Sequence, residues 1–144
     1  MSFIKREADY AIRIAAFLAG KKDKVKIDYI CEKLYLNKPI VIKIIHKLSK
    51  CGIIVTETGR YGGVALSPHA FDLSLMDILK CIGFVNSINI CVDQPEKCLL
   101  NPICNITTFF KKLQDEVEEK LKGAKLKDFL FEEEDLKNVE EVKL

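Results

Sequence analysis

Three of the six cysteines stand close together, as Cys91, Cys98 and Cys104 in the spacing C-x6-C-x5-C. The intervening residues include Pro95, Asn101 and Pro102. An irregular stretch of this kind can bend three thiolates toward one centre, where a helix or strand would point them apart. Both tetrahedral zinc and a cubane iron-sulfur cluster would need a fourth ligand. Spacing alone leaves a cluster, zinc and ordinary cysteines equally open. The other three read as small buried hydrophobes: Cys31 on a core stripe, Cys51 after a helix and Cys81 within a short one. The mixed-charge start, Met1 to Asp9, lacks the apolar stretch of a secretory signal, and no apolar run reaches the length of a membrane span. A cytoplasmic location is therefore expected, in which thiols make poor disulfide candidates.

Other chemistries find little support. No nucleophile has a plausible base, no phosphate-binding loop is present, and only His46 and His69 could serve acid-base work, so an enzyme is not expected. The net charge of +2 conceals a division. Residues 1–70 hold 13 lysines and arginines against 6 aspartates and glutamates, a net +7; residues 71–144 hold 10 against 15, a net −5. A solvated lysine-rich surface would give the same count, but a basic unit joined to an acidic one suggests polyanion binding coupled to sensing or assembly. With 49% hydrophobic residues in 144, the chain can bury a core.

The elements that must position these residues follow from periodicity. Residues 4–19 carry apolar side chains around most of a helix, which Gly20 stops. Ile27, Ile30, Cys31 and Leu34 form a short amphipathic stripe. Asn37 suits the cap of a third helix and Pro39 its first turn. There Val41, Ile44, Ile45 and Leu48 make the core stripe; Lys43, His46, Lys47 and Lys50 lie opposite, and Asn37 and Lys38 stand at the start. Residues 53–57 and 64–67, joined through Thr58-Gly59-Arg60-Tyr61-Gly62-Gly63, read as a hairpin. This order predicts a mostly α fold with a small β-hairpin wing: a winged helix-turn-helix whose basic third helix enters a DNA major groove. The DNA-binding domain is expected over 1–70 and a connecting helix within 71–90, opened by a capping box at Ser74 and Asp77 and ended at Gly83. The cysteine loop (91–104) then leads to a long helix over 103–123 carrying Ile103, Ile106, Phe110, Leu113, Val117 and Leu121. That helix is too isolated to be covered by this chain alone, so it predicts a homodimer. An acidic C-terminal tail is expected over 124–144, its part from Glu132 onward solvated or frayed.

These pieces together resemble the winged-helix regulators typified by IscR and NsrR, the Rrf-two type. The resemblance is carried by Asp9-Tyr10-Ala11-Ile12-Arg13, by Ile44 to Ile54, by the wing Gly59 to Leu66 and by the three spaced cysteines. It implies a homodimeric DNA-binding transcription factor acting on a pseudo-palindromic operator, with an iron-sulfur cluster on Cys91, Cys98 and Cys104 whose state alters DNA affinity. Members with a two-iron cluster place a histidine where this chain has Thr107, and NsrR-like members use an aspartate that Asp9 matches. A four-iron cluster is therefore favoured over a two-iron one, with Asp9 of a partner subunit as fourth ligand. The residue type equally allows Asp9 an exposed helix position or an ion pair. Pro39 and Ile40 replace the family's serine and tyrosine, and Thr58 replaces an arginine, leaving Arg60 and Tyr61 as the wing's candidate DNA contacts. The alternatives are zinc or direct thiol oxidation in the same fold, or an iron-sulfur carrier, for which a basic wing would have no use.

Overall fold

The computed structural model describes residues 3–84 and 87–143, the last four of these by backbone alone. Helix α1 (Arg6–Ala19) is the axis of the core. Ala8, Ala11, Ile14, Ala15, Ala16, Phe17 and Leu18 are all buried, because alanines on several sides let neighbouring elements approach closely. Helices α2 (Ile27–Leu34) and α3 (Lys38–Lys50) pack on it and on each other, α3 contributing the predicted stripe Val41, Ile44, Ile45 and Leu48. Asn37 occupies the cap position of α3 with no capping bond from its side chain, and Pro39 lies in the first turn. At the other end Gly52 adopts φ 75°, so that Ile53 N–H reaches the Leu48 carbonyl (3.0 Å) and Gly52 N–H that of Ser49 (3.0 Å). This Schellman turn stops the helix on Cys51.

Strands β1 (Ile54–Glu57) and β2 (Gly63–Leu66) pair antiparallel with Ile54 opposite Leu66 and Glu57 opposite Gly63, and Val25 bridges to Val64 on the outer side. At Gly62 a β-carbon would lie 2.1 Å from the Glu57 carbonyl oxygen, so only glycine fits the turn. A 3-10 turn, Pro68–Asp72, leads to α4 (Leu75–Ile82). The predicted capping box opens α4: Asp77 N–H donates to the Ser74 hydroxyl (3.2 Å) and Ser74 N–H to the Asp77 carboxylate (2.9 Å). Gly83 ends it. The fold is the mostly helical winged helix that the sequence predicts.

The remainder differs from expectation in three ways. Cysteine-bearing residues 90–104 form short turns rather than an irregular loop: α5 (Ile90–Asp93) and 3-10 turns at Pro95–Lys97 and Asn101–Ile103. The long helix, α6 (Asn105–Gly123), therefore begins after Ile103. Second, the acidic tail is not a solvated extension. Leu126 is fully buried in a 3-10 turn, Leu126–Phe129; its N–H bonds to the Leu73 carbonyl (2.9 Å), and Leu75 N–H bonds to the Ala124 carbonyl (2.9 Å). In α7 (Glu133–Lys143), Leu136 joins the core and Glu133 pairs with Lys21. Two apolar anchors thus dock a segment whose composition is charged. Val85 and Asn86 of the connecting segment and Leu144 of the tail lie outside the described residues. Third, Cys51 and Cys81 are not separate buried hydrophobes. Cys51 is exposed and the two are joined as a disulfide between α3 and α4 (Cα–Cα 6.1 Å), a tertiary pairing that linear spacing does not reveal.

Candidate nucleic-acid interface and cysteine stretch

Helix α3 presents Lys38, Ile42, Lys43, His46 and Lys50 outward, all exposed. Its cations are not bare. Lys38 pairs with Asp28 of α2 (2.7 Å), which raises the lysine's pKa above its ordinary value, chiefly through that hydrogen bond. Glu7 of α1 receives both Lys47 (2.6 Å) and Lys43 (3.4 Å), and its carboxyl is held below the usual range, first by the Lys47 hydrogen bond. Lys47 is only partly exposed and leans toward α1, so the predicted four-residue basic face is divided: His46 and Lys50 point away from the core, while Lys43 and Lys47 share a carboxylate. A DNA phosphate meeting that edge would compete with Glu7. Sequence reasoning missed Glu7, whose contact spans 40 residues, and Ile42, an exposed apolar residue off the core stripe that suits a thymine methyl.

The wing tip places Arg60 and Tyr61 side by side, the guanidinium 5.8 Å from the ring centroid, with Tyr61 87% exposed. Lys26 braces this tip from beneath, donating to the carbonyls of Gly59 (3.1 Å) and Arg60 (3.1 Å). The tip is thus held by backbone contacts while its two side chains project, as a minor-groove or phosphate contact requires.

Cys91 lies in α5, Cys98 directly after the Pro95–Lys97 turn, and Cys104 at the cap position of α6; each is partly exposed. Cys104 accepts hydrogen bonds from the Thr107 N–H and hydroxyl and from the Ile106 N–H, which lower its pKa. These donors belong to the first turn of α6, where a helix N-terminus favours negative charge. Thr107, at the family's histidine position, is the one buried residue of α6 and serves Cys104 directly. Cys31, by contrast, is pushed up by burial and then by Asp28, and fits an inert thiol. In donor chemistry the stretch suits a thiophilic metal centre, but among the described residues no three Cys, His, Asp or Glu side chains are gathered into a metal site. Asp9 pairs with Arg13 one turn on (3.0 Å).

A winged helix with a basic recognition helix, a braced wing and a cysteine-bearing segment leading into a long helix defines a DNA-binding regulator of the helix-turn-helix class. Residues 4–132 match the Rrf2 family, described as an iron-dependent transcriptional regulator, and the chain belongs to that family. It is similar to the HTH-type transcriptional regulator NsrR of Oceanobacillus iheyensis, with 29% identity over 126 residues, covering 78% of this chain and 84% of the relative. Among solved structures it is similar to T. potens IscR (TM-score 0.67, 20% identity, 99% of this chain and 92% of the other). It is also similar to CymR, the global cysteine regulator of B. subtilis (TM-score 0.66, 19% identity, 96% and 98%). The chain is a transcriptional regulator, not an enzyme. Among the described residues no helix is long and apolar enough to cross a membrane.

Proposed function

We propose that the chain is a cytoplasmic iron-sulfur regulator whose affinity for DNA changes with cluster state. Cys91, Cys98 and Cys104 supply three thiolates to a four-iron cluster, and Asp9 of a partner subunit is the fourth ligand. The observation that carries this reading is the set of three partly exposed cysteines in the segment running into α6, in a chain of an iron-dependent family. A cluster bound there supplies a centre that small oxidants or nitric oxide can modify. The chain's own part is to present soft donors, with Thr107 holding the Cys104 sulfur at the helix start. Asp9 would have to leave Arg13 to reach the partner. A carboxylate is a harder ligand than a thiolate, and its release would free α1 of one subunit from the other's cysteine segment.

The homodimer rests on α6, whose Ile106 and Phe109 are 66% and 63% exposed. Two recognition helices related by a twofold axis then meet a pseudo-palindromic duplex. Lys43, His46, Lys47 and Lys50 lie along the groove, Asn37 and Lys38 at the helix start, and Arg60 and Tyr61 at the flanking backbone or minor groove.

The test is anaerobic purification with iron and sulfide counted per chain beside the visible spectrum. Four irons and four sulfides per chain are expected for a four-iron cluster. Cys91→Ala, Cys98→Ala or Cys104→Ala should bleach the protein, Cys31→Ala should not, and Asp9→Ala should shorten cluster lifetime under nitric oxide or oxygen. A colourless wild type with zinc, or one without metal whose loop thiols oxidise directly, would overturn the cluster reading. An Asp9→Ala variant indistinguishable from wild type would remove Asp9 from the ligand set.

A further inference from the structure

The cluster reading leaves one pair of cysteines unused, at the far end of the recognition helix. Cys51 is held in place by the Schellman turn that ends α3, and Cys81 sits in the last turn of α4. Their Cα atoms are 6.1 Å apart, inside the range a disulfide spans without backbone movement. As thiols, both would still have acceptors in the same positions. Cys81 Sγ lies 3.4 Å from the Lys47 carbonyl, and Cys51 Sγ 3.8 Å from the Cys81 carbonyl. Neither redox state strands a polar group, so the bond can open and close in place.

Cys51 is exposed and Cys81 partly so, which lets a small oxidant reach the first and leaves the second to resolve it. Helix α4 packs on α1, α3 and α6, so the bond fastens the DNA-reading helix to the layer that bears the long helix. We propose that Cys51 and Cys81 form a reversible dithiol–disulfide site, oxidised by hydroperoxides, that modulates DNA binding independently of the Cys91, Cys98 and Cys104 segment. The Cys51 thiolate attacks the peroxide O–O bond, forming a sulfenic acid and releasing an alcohol or water after protonation. The Cys81 thiol then displaces the sulfenyl oxygen as water and forms the S–S bond. The pair loses two electrons and two protons, and the peroxide is reduced by the same two electrons. A dithiol reductant reverses the step by exchange.

The experiment uses the full chain, as wild type and in a Cys91→Ala, Cys98→Ala, Cys104→Ala background that removes any cluster. Each is reduced with dithiothreitol, exposed to hydrogen peroxide, alkylated and mapped by mass spectrometry without reduction. DNA affinity is measured in both states on a duplex selected from a random pool. A Cys51–Cys81 linked peptide is expected after peroxide and not after reduction. The disulfide form, with its recognition helix fastened, should bind about fivefold more tightly, within the usual span of coupling between sites. Cys51→Ser and Cys81→Ser should each abolish both the link and the difference, whereas Cys31→Ser should keep them. Full alkylation of both thiols after peroxide, in protein that keeps its circular dichroism, would overturn the site. Linked protein whose affinity equals that of the reduced form would overturn its regulatory role. Because the background carries no cluster ligands, neither result depends on the iron-sulfur reading.

Discussion

Helix α3 buries Val41, Ile44, Ile45 and Leu48 against α1, α2, β1 and α4, whereas α6, six residues longer, buries only Thr107. The recognition helix is completed by its own chain. Its charged side chains are already positioned, down to the Glu7 carboxylate between Lys43 and Lys47. In α6 the inner positions Leu113, Val117 and Leu121 are half-covered, and Ile106 and Phe109 lie open. The difference separates a DNA-reading half determined by local burial from a cysteine-bearing half whose long helix its own chain leaves largely uncovered, the half to which the proposed cluster and second subunit belong.

Truncating one residue on each helix sharpens the contrast most. Leu48→Ala empties a fully buried position and should cost about 3 kcal/mol in urea unfolding. Phe109→Ala should leave the unfolding of the dilute chain nearly unchanged and instead raise the dimer dissociation constant, read by sedimentation. Equal stability losses at the two sites would erase the distinction.

Two glycines give a smaller contrast of the same kind. Gly62→Ala forces a β-carbon onto the Glu57 carbonyl and should cost about 2 kcal/mol and weaken duplex binding. Gly123→Ala, at the end of α6 with nothing within 4 Å, should be neutral or stabilise by about 0.5 kcal/mol. Between the halves, Ser74→Ala removes the capping box of α4 and should cost about 1 kcal/mol in the same unfolding measurement.

The smallest effect concerns Glu7. Its pKa is lowered in the fold, so the stability it contributes is present above the ordinary carboxylate pKa and is lost as pH falls through the lowered value. Glu7→Gln should therefore flatten the acid limb of a stability–pH profile below about pH 4. It should also strengthen non-specific DNA binding and steepen its salt dependence, since Lys43 and Lys47 lose their internal counter-ion. An unchanged acid limb and salt slope would mean that the pairing contributes nothing in solution.

Much of this was legible in the residues. The α3 stripe, the wing glycines and the Ser74–Asp77 box are local signals, and each element stands where periodicity or capping places it. The stretch from Glu132 onward reads as solvated because a single leucine, Leu136, anchors it to the core amid acidic residues, too little to make a period. The Cys51–Cys81 bond and the Glu7 clamp join residues 30 and 40 apart, a proximity only tertiary packing creates. Thr107 could be read as a missing histidine, but its hydrogen bonds to Cys104 depend on the first turn of α6 forming there.

The proposed control of DNA affinity through the cysteine segment is tested most directly by comparing one protein in two states. Wild type is purified anaerobically, and half is stripped of iron with a chelator. Both halves are titrated against duplexes selected from a random pool with each form in parallel. Dissociation constants differing by about tenfold or more are expected, with Cys98→Ala matching the stripped form regardless of treatment. Indistinguishable affinities for iron-loaded and stripped protein on every selected duplex would contradict the proposed control.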